Sequence, residues 1–233
     1  MRRAAVVPAY NEAGSIQAVV TELRAADPEL AVVVVDDGST DGTADLGRAA
    51  GATVLSLPYN LGIGAAVQTG LKYAWSEGFD LAVQVDGDGQ HDARELERLL
   101  APIVSGRADI AVGTRFAGPR TYRAPLARRI GITLFAGLVS LIVRERVTDT
   151  TSGFRAMNRR GIRLFATDYP HDYPEVEATV LVYRHGLRMV EVPVAMRKRD
   201  TGRSSITPFR SLYYMGKVTL ALFVGLLRPR PVQ

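Results

Sequence analysis

The first 114 residues alternate short apolar runs with segments of helical spacing, and this alternation limits the fold more than any other feature. Five runs predict β-strands, at residues 4–8, 31–35, 53–57, 81–85 and 109–114. Four segments between them predict helices, at residues 16–23, 46–50, 64–75 and 96–104. Strands that alternate with helices favour a mostly parallel, twisted sheet with helices on both faces. The sequence therefore predicts an α/β fold.

Polar side chains directly follow three of the predicted strands. Residues 8–12 (PAYNE) come after the first strand, 36–39 (DDGS) after the second and 86–88 (DGD) after the fourth. In open α/β sheets, ligands bind outside the carboxyl ends of the strands. We therefore expect these three segments to line one ligand site.

Asp86 and Asp88 are the strongest chemical signal in the chain. Side chains two residues apart in an extended chain share a face, so both carboxylates point towards one cleft. Two carboxylates can hold a hard divalent ion whose other ligands are diphosphate oxygens and water, and Gln90 offers a third protein oxygen. Such an ion acts as a Lewis acid on a leaving diphosphate.

Two other interpretations compete for this segment. A plain Asp-Gly turn is common, since both residue types favour turns. An EF-hand calcium loop matches at its first, third, fifth and twelfth positions, which are Asp86, Asp88, Gln90 and Glu97. That loop needs glycine at its sixth position, where the chain has His91, and it follows a helix rather than a strand. The calcium loop is therefore excluded.

Asp36 and Asp37 lie between a buried strand and a helix. A carboxylate at such a position can accept hydrogen bonds from a ribose or a base. The alternative is a helix-capping loop, for which residues 39–41 (STD) are well suited. The G-x-G within residues 60–70 lacks the third glycine of a dinucleotide fingerprint and does not follow the first strand, so that interpretation is rejected.

The charge is distributed unevenly along the chain. Residues 1–114 carry 8 Lys and Arg against 16 Asp and Glu, whereas residues 115–233 carry 21 against 8. This change of sign indicates that the second half meets something anionic, such as phosphate, nucleic acid or a membrane surface. A solvated, arginine-rich face is the alternative. The absence of cysteine excludes a disulfide framework and a thiolate metal site.

Two apolar stretches of the basic half, residues 130–143 and 218–227, are each too short to span a bilayer. Both have basic flanks, and both suit core helices or helices that lie in a membrane interface. Their presence together in the basic half favours membrane contact. The apolar run near the N-terminus is too short for a signal peptide, so we expect a cytoplasmic protein, peripheral at the inner face of the membrane.

Six motifs stand in the order of one enzyme family: residues 8–12 (PAYNE), 35–43 (VDDGSTDGT), 60–66 (NLGIGAA), 85–92 (VDGDGQHD), 113–116 (GTRF) and 149–156 (DTTSGFRA). With them the chain resembles glycosyltransferase family 2, and within it the dolichyl- and polyprenyl-phosphate sugar transferases. The resemblance extends from residue 6 to about residue 205. It implies a GT-A fold, a GDP- or UDP-sugar donor, Mg or Mn, inversion at the sugar carbon and a polyprenyl phosphate acceptor.

We expect one GT-A catalytic domain over residues 1–200, followed by a loop and a membrane-surface helix over residues 201–233. Within the domain, residues 1–114 form the half that binds the nucleotide sugar, and residues 115–200 form the half that binds the acceptor.

The resemblance also implies roles for individual residues. The nucleoside-binding positions correspond to Pro8, Tyr10, Glu12, Val35 and Asp37. The metal and diphosphate positions correspond to Asp86, Asp88 and Gln90. Arg115 corresponds to a donor-binding arginine, and Arg199 to an arginine on a loop that closes over the diphosphate; with Asp88 these are the expected catalytic residues. The family commonly has Lys where Ser205 stands, and Arg203 is the candidate replacement.

A lipid monophosphate acceptor also fits the chemistry. A phosphate monoester has a second pKa of about 6, so it is already largely a nucleophilic dianion at neutral pH. It needs cations for positioning rather than a base, and the candidates are Arg128, Arg129 and Arg155. A hydroxyl acceptor would instead need a general base. Glu175 and Glu177 are the candidates for that role.

Three other functions are alternatives. A family 2 enzyme with a soluble or saccharide acceptor belongs to the same class. A sugar-nucleotide pyrophosphorylase should carry a Gly-rich, Arg-containing loop after the first strand, where this chain has PAYNE. A nucleic-acid-binding module predicts salt-sensitive binding to any duplex. We expect no nucleic acid partner, whereas a transmembrane partner protein is compatible with the sequence. Three histidines, at positions 91, 171 and 185, are expected to be structural or exposed.

Overall fold

A computed structural model describes residues 1–114, 136–137, 139–142, 145, 147–149, 152–170 and 174–197, with the backbone alone given at positions 174 and 175. The strands are β1 Arg3–Ala9, β2 Leu30–Asp36, β3 Thr53–Ser56, β4 Leu81–Gln84, β5 Ile110–Thr114, β6 Arg155–Asn158 and β7 Met189–Pro193. The helices are α1 Ile16–Ala26, α2 Thr43–Ala49, α3 Ile63–Ser76, α4 Leu96–Val104, α5 Arg159–Thr167 and α6 Pro174–Arg184. A 3-10 turn, Ala93–Glu95, precedes α4.

The strands form one sheet in the order β3-β2-β1-β4-β6-β5-β7. Strand β1, the third in this order, pairs in parallel with β2, where Ala9 lies opposite Asp36, and with β4, where Val6 lies opposite Gln84. Parallel pairs also join β2 to β3 and β5 to β7. Only β6 among these strands is reversed, because it runs antiparallel to both β4 and β5. The predicted mostly parallel α/β sheet is confirmed.

Helices cover both faces of the sheet, so the strands β1, β2 and β4 bury nearly all of their side chains. Val6 and Val7 are both 0% exposed, because consecutive residues of a strand point to opposite faces. Val7 packs in a layer with Leu99 of α4, and Val6 in a layer with Leu71 of α3 and Phe165 of α5. Burial of one aliphatic side chain of this kind stabilises the fold by about 1.5–3 kcal/mol. These two layers hold the sheet that positions the site.

The helix expected at residues 46–50 begins earlier, at Thr43. The buried residues of α2 are Thr43 and Gly47, neither of which is apolar enough to mark a buried helix face in the sequence. The short helix itself is confirmed, and the main difference is at its start. Strand β6 was not predicted, because its sequence, RAMN, is not an apolar run.

Parts of the basic half lie outside the described residues. Of the apolar stretch at 130–143, residues 136–137 and 139–142 are helical, and the rest is not described. The loop at 115–125 and the apolar stretch at 218–227 also lie outside the described ranges. No helix in the described part of the chain is long and apolar enough to cross a membrane.

Gly70 of α3 allows that helix to approach the sheet closely. A Cβ added at Gly70 would lie 2.3 Å from Val6 Cγ1, whereas one added at Gly47 of α2 would meet Val54 Cγ2 at an ordinary 3.4 Å. We expect Gly70→Ala to lower the free energy of unfolding by about 1–3 kcal/mol through overpacking. The matched control, Gly47→Ala, should be neutral or up to about 1 kcal/mol more stable, because alanine favours helices. Denaturant unfolding measures both; equal stability of the two variants would contradict the close approach.

Candidate active site

The segments that follow β1 and β2 are joined by hydrogen bonds between loops. Asn11 N donates to Ser39 Oγ at 2.9 Å, and Thr40 N donates back to Asn11 Oδ1 at 2.9 Å. Glu12 N donates to Thr43 Oγ1 at 2.9 Å. The two predicted ligand segments therefore form one rim at the carboxyl ends of the strands.

Asp41 completes this rim. Its carboxylate accepts from Ala13 N at 3.0 Å and from Thr43 N at 3.1 Å. Burial raises the pKa of Asp41, but the hydrogen bonds from the Thr43 hydroxyl and from backbone amides outweigh it and leave that pKa below 3.8. Asp41 is therefore ionised at neutral pH, and it joins the loop after β1 to the loop after β2.

Asp37 supports the start of α3 from the neighbouring strand. Its Oδ1 accepts from Leu61 N at 2.8 Å and its Oδ2 from Gly62 N at 2.9 Å. The first amides of a helix have no partner within the helix, so an external carboxylate stabilises the helix start. Asp37 is only 3% exposed, and both of its oxygens take part in these bonds.

The other nucleoside-binding candidates fall into two groups. Pro8 and Val35 lie opposite each other on β1 and β2 and are buried in the sheet. Tyr10 is 47% exposed on the rim, and Glu12 is half-buried with its Oε2 3.1 Å from Ser15 Oγ. The structure thus places Tyr10 and Glu12 where a ligand can reach their side chains.

The predicted metal-binding residues form a tight turn directly after β4. Gly87 N donates to Pro8 O at 3.3 Å, and Ser15 Oγ donates to Gly87 O at 2.7 Å. Within the turn, Gln90 N donates to Asp88 Oδ1 at 3.0 Å. The turn is therefore held against β1 and the start of α1.

Asp86 contacts the ring of His91. The Asp86 backbone N lies 3.0 Å from His91 Nδ1, and Asp86 Oδ2 lies 3.6 Å from His91 Nε2. The ring is stacked on Phe154, with ring centroids 4.7 Å apart and planes inclined by 15°. His91 is 7% exposed, so it belongs to the buried base of the site.

The segment that contains DTTSGFRA also approaches the Asp86 carboxylate, at Gly153. A Cβ added at Gly153 would lie 2.9 Å from Asp86 Oδ1 and 3.1 Å from Oδ2. The start of the segment is held by Glu191 of β7, which accepts from Thr148 N at 2.6 Å and from Asp149 N at 3.0 Å. Only glycine fits at position 153 without displacing the carboxylate.

A cluster of charged residues anchors the end of the predicted metal-binding turn. Arg197 N donates to Gln90 O at 2.8 Å, and its guanidinium bonds Asp92 Oδ1 at 3.1 Å and Glu22 Oε2 at 2.7 Å. Arg94 also bonds the Asp92 carboxylate, at 2.6 Å. The hydrogen bond from the Arg94 side chain lowers the pKa of Asp92 from 3.8 to about 2, against the opposing effect of burial.

The chemistry of the turn fits a divalent ion that shares its ligands with a diphosphate. Within the described ranges, no group of three or more His, Cys, Asp or Glu side chains converges to hold a metal by itself. Asp86, Asp88 and Gln90 offer hard oxygen atoms on one half-buried turn. Mg²⁺ is usually held by one or two carboxylates, with phosphate oxygens and water as its other ligands. These residues therefore fit Mg or Mn bound together with a nucleotide.

The remaining candidates are placed as follows. Arg155 lies on β6, is 2% exposed, and donates from Nε to Ser152 O at 2.9 Å. Glu177 is half-buried on α6. The other cations of the predicted site lie outside the described residues: Arg115, Arg128, Arg129, Arg199 and Arg203. So do Ser205, His171 and the side chain of Glu175, and the roles of all these residues stay predictions.

Comparison with known families decides which enzyme class this site belongs to. The sequence profile of Glycosyl transferase family 2 matches residues 4–164. The chain belongs to glycosyl transferase family 2. It is therefore a glycosyltransferase, and the pyrophosphorylase interpretation is excluded.

Several relatives of this family 2 chain are similar over most of their length. It is 31% identical to the polyprenol monophosphomannose synthase of Mycolicibacterium smegmatis, covering 88% of this chain and 81% of that protein. It is 32% identical to the undecaprenyl-phosphate mannosyltransferase of Micrococcus luteus, covering 89% and 88%.

Solved structures give the fold. Glucosyl-3-phosphoglycerate synthase of Mycobacterium tuberculosis, in complex with Mn²⁺, UDP and phosphoglyceric acid, matches with a TM-score of 0.71 and 21% identity. The match covers 96% of the family 2 chain and 77% of that structure. The expected GT-A fold is confirmed.

The sequence did not indicate that three further residues lie at the candidate site of this family 2 chain. Ser15, Gly153 and Arg197 each lie against the predicted metal-binding turn. They lie far from it along the chain and are of ordinary residue types, so only the fold brings them to it. The motif around Gly153 was recognised, but its contact with Asp86 was not.

Removal of the Asp37 carboxylate should loosen the start of α3. Asp37→Ala removes the buried carboxylate that accepts from two part-buried amides, and a hydrogen bond to a charged group contributes about 1.5–3 kcal/mol. Asp45→Ala is the matched control, because Asp45 is exposed and pairs with the exposed Arg48; its effect should stay within about 0.5 kcal/mol. Thermal and denaturant unfolding measure the difference, and two equally stable variants would contradict the capping role of Asp37.

The depressed pKa of Asp92 predicts a pH-dependent contribution to stability. A carboxyl group whose pKa is lowered on folding stabilises the protein above its unfolded pKa, and that contribution is lost as the pH falls towards the folded value. Asp92→Asn should therefore lower the free energy of unfolding by up to about 2 kcal/mol at neutral pH. The difference in free energy of unfolding between this variant and wild type should disappear as the pH falls from about 4 to about 2. Urea unfolding at several pH values measures this difference in stability. A difference that does not change with pH would contradict the pKa shift.

Proposed function

We propose that the chain transfers a hexose of mannose or glucose type from a GDP- or UDP-sugar to a polyprenyl phosphate, with inversion at the sugar carbon. The observation that carries the proposal is the carboxylate turn of Asp86 and Asp88, held against the carboxyl end of β1 beside the exposed Tyr10. Relatives named for transfer to polyprenol, undecaprenyl phosphate and dolichyl phosphate support the acceptor. We place the reaction at the inner face of the membrane.

Each part of the site has one task in this reaction. Tyr10 and Glu12 hold the nucleoside on the rim, while Asp37 keeps the start of α3 in place beside it. Asp86, Asp88 and Gln90 would hold a divalent ion, which supplies Lewis-acid stabilisation of the departing nucleoside diphosphate. Solved glycosyltransferases of the same fold contain Mn²⁺ or Mg²⁺ together with UDP, which supports this assignment.

The bond changes need no general base from the protein. An oxygen of the acceptor phosphate attacks the anomeric carbon, the bond from that carbon to the diphosphate breaks, and the nucleoside diphosphate leaves with the electron pair. The acceptor is already a dianion at neutral pH. The chain's task is therefore orientation of two anionic substrates, for which Arg115 and Arg199 on the donor and Arg128 and Arg129 on the acceptor are the proposed cations.

Asp88→Ala should abolish transfer while leaving the fold intact, because it removes a proposed ligand of the ion. We expect a loss of at least about 100-fold in kcat/KM with labelled GDP- and UDP-sugars and Mn²⁺. Asp45→Ala, an exposed aspartate far from the turn in sequence, is the control for loss of a surface carboxylate. Thermal melts confirm folding of each variant, and full activity of folded Asp88→Ala would refute the metal role.

Acceptor chemistry is tested with three acceptors offered to wild-type protein. These are a short polyprenyl phosphate, the same polyprenol without phosphate, and a free saccharide. We expect transfer to the phosphate alone, because only it is a nucleophile without a base. Equal transfer to the saccharide or to the polyprenol would favour a hydroxyl acceptor, with Glu175 or Glu177 as the base to be examined.

A further inference from the structure

We propose that His91 is a positioning residue for Asp86, holding both the backbone and the carboxylate of that residue in the orientation that binds the metal ion. The inference rests on the metal-binding role proposed above for Asp86. It extends that role to a residue whose type and position in the sequence pointed to no function.

The hydrogen bond from the Asp86 backbone decides which nitrogen of the His91 ring carries the proton. A backbone N–H can only donate, so His91 Nδ1, 3.0 Å away, must be the acceptor and carries no proton. The ring is therefore neutral, with its proton on Nε2. Asp86 Oδ2 lies 3.6 Å from this nitrogen. At this length the contact is an attraction between a charge and a dipole rather than an ion pair or a strong hydrogen bond.

Packing prevents the ring from turning away. His91 is stacked on Phe154, which is 0% exposed, and its backbone forms a β-bridge with Met196. The neighbouring Gln90 carbonyl accepts from Arg197 N at 2.8 Å. The acceptor atom of the ring is therefore fixed relative to β4, and the Asp86 backbone with it.

The carboxylate of Asp86 also lies next to Gly153. A Cβ at that position would lie 2.9 Å from Asp86 Oδ1, so any side chain at position 153 would displace the carboxylate. With His91 and Gly153 as neighbours, the Asp86 side chain keeps 34% of its surface exposed. Groups that orient a metal ligand in this way raise metal affinity, and their loss typically costs about 10–100-fold.

A purely structural role does not explain a histidine at this position. A phenylalanine would stack on Phe154 equally well, without burying polar nitrogen atoms at a cost. What histidine adds is an acceptor at Nδ1 for the Asp86 amide, which no strand or helix satisfies.

Two variants separate the acceptor from the stacked ring. His91→Asn keeps an acceptor atom at the position of Nδ1 and loses the ring, whereas His91→Phe keeps the ring and loses the acceptor. Mn²⁺ affinity is measured by electron paramagnetic resonance titration in the presence of UDP or GDP, whichever stabilises wild type in thermal melts. We expect His91→Phe to weaken Mn²⁺ binding by about 10-fold or more, and His91→Asn to stay within about 3-fold of wild type.

His185→Phe is the matched control, because His185 lies at the end of α6 with its Nδ1 3.0 Å from Leu181 O. It should leave Mn²⁺ affinity unchanged. Wild-type affinity in folded His91→Phe would overturn the proposal, and so would equal losses in His91→Phe and His91→Asn. Wild-type protein that binds no Mn²⁺ with either nucleotide would refute the metal role itself, which distinguishes that failure from a failure at His91 alone.

The state of the ring is tested without a metal. Long-range ¹H–¹⁵N correlation spectra of wild-type protein distinguish the two neutral tautomers and the cation of each histidine. We expect His91 to carry its proton on Nε2 alone. A proton on Nδ1 would overturn the proposal even if the variants fail to fold, because the Asp86 amide would then have no acceptor in the ring.

Discussion

The parallel pairing of β1 with β2 and with β4 is the constraint on which the rest of the structure depends. Ala9 lies opposite Asp36, and Val6 opposite Gln84, so the three strands end at the same edge of the sheet. The segments that follow them must therefore emerge side by side. A shift of one residue in either pairing would turn every side chain of that strand to the other face. Because each face packs against its own buried core layer, this packing holds the register.

Beyond that edge the chain is irregular, and side chains from other segments supply the hydrogen bonds that the sheet no longer gives. Asp37 accepts from the amides before α3, His91 from the Asp86 amide, and Glu191 from the Thr148 amide. Buried backbone groups need partners, so each of these bonds stabilises a loop that would otherwise pair with water. The active-site edge is thus rigid because its loops satisfy one another across the strands.

The family motifs contain supporting residues, whose side chains bond the backbone, as well as candidate ligand-binding residues. VDDGSTDGT supplies Asp37, whose two oxygens bond backbone amides, and VDGDGQHD supplies His91, whose ring supports the Asp86 amide. Each motif therefore contains residues that face the cleft and residues that hold the cleft in shape.

The sequence by itself determined the alternation of strands and helices and the edge of the sheet where the candidate site lies, and it singled out the carboxylates of the turn that we propose binds metal. Apolar periodicity and motif order are local properties, and local properties can be read along the chain. The tertiary structure alone decided that β6 is reversed beside β4, that Gly153 lies next to the Asp86 carboxylate and that Arg197 anchors the turn. These contacts join residues far apart in sequence, and their residue types are ordinary, so only the packing of the sheet brings them together.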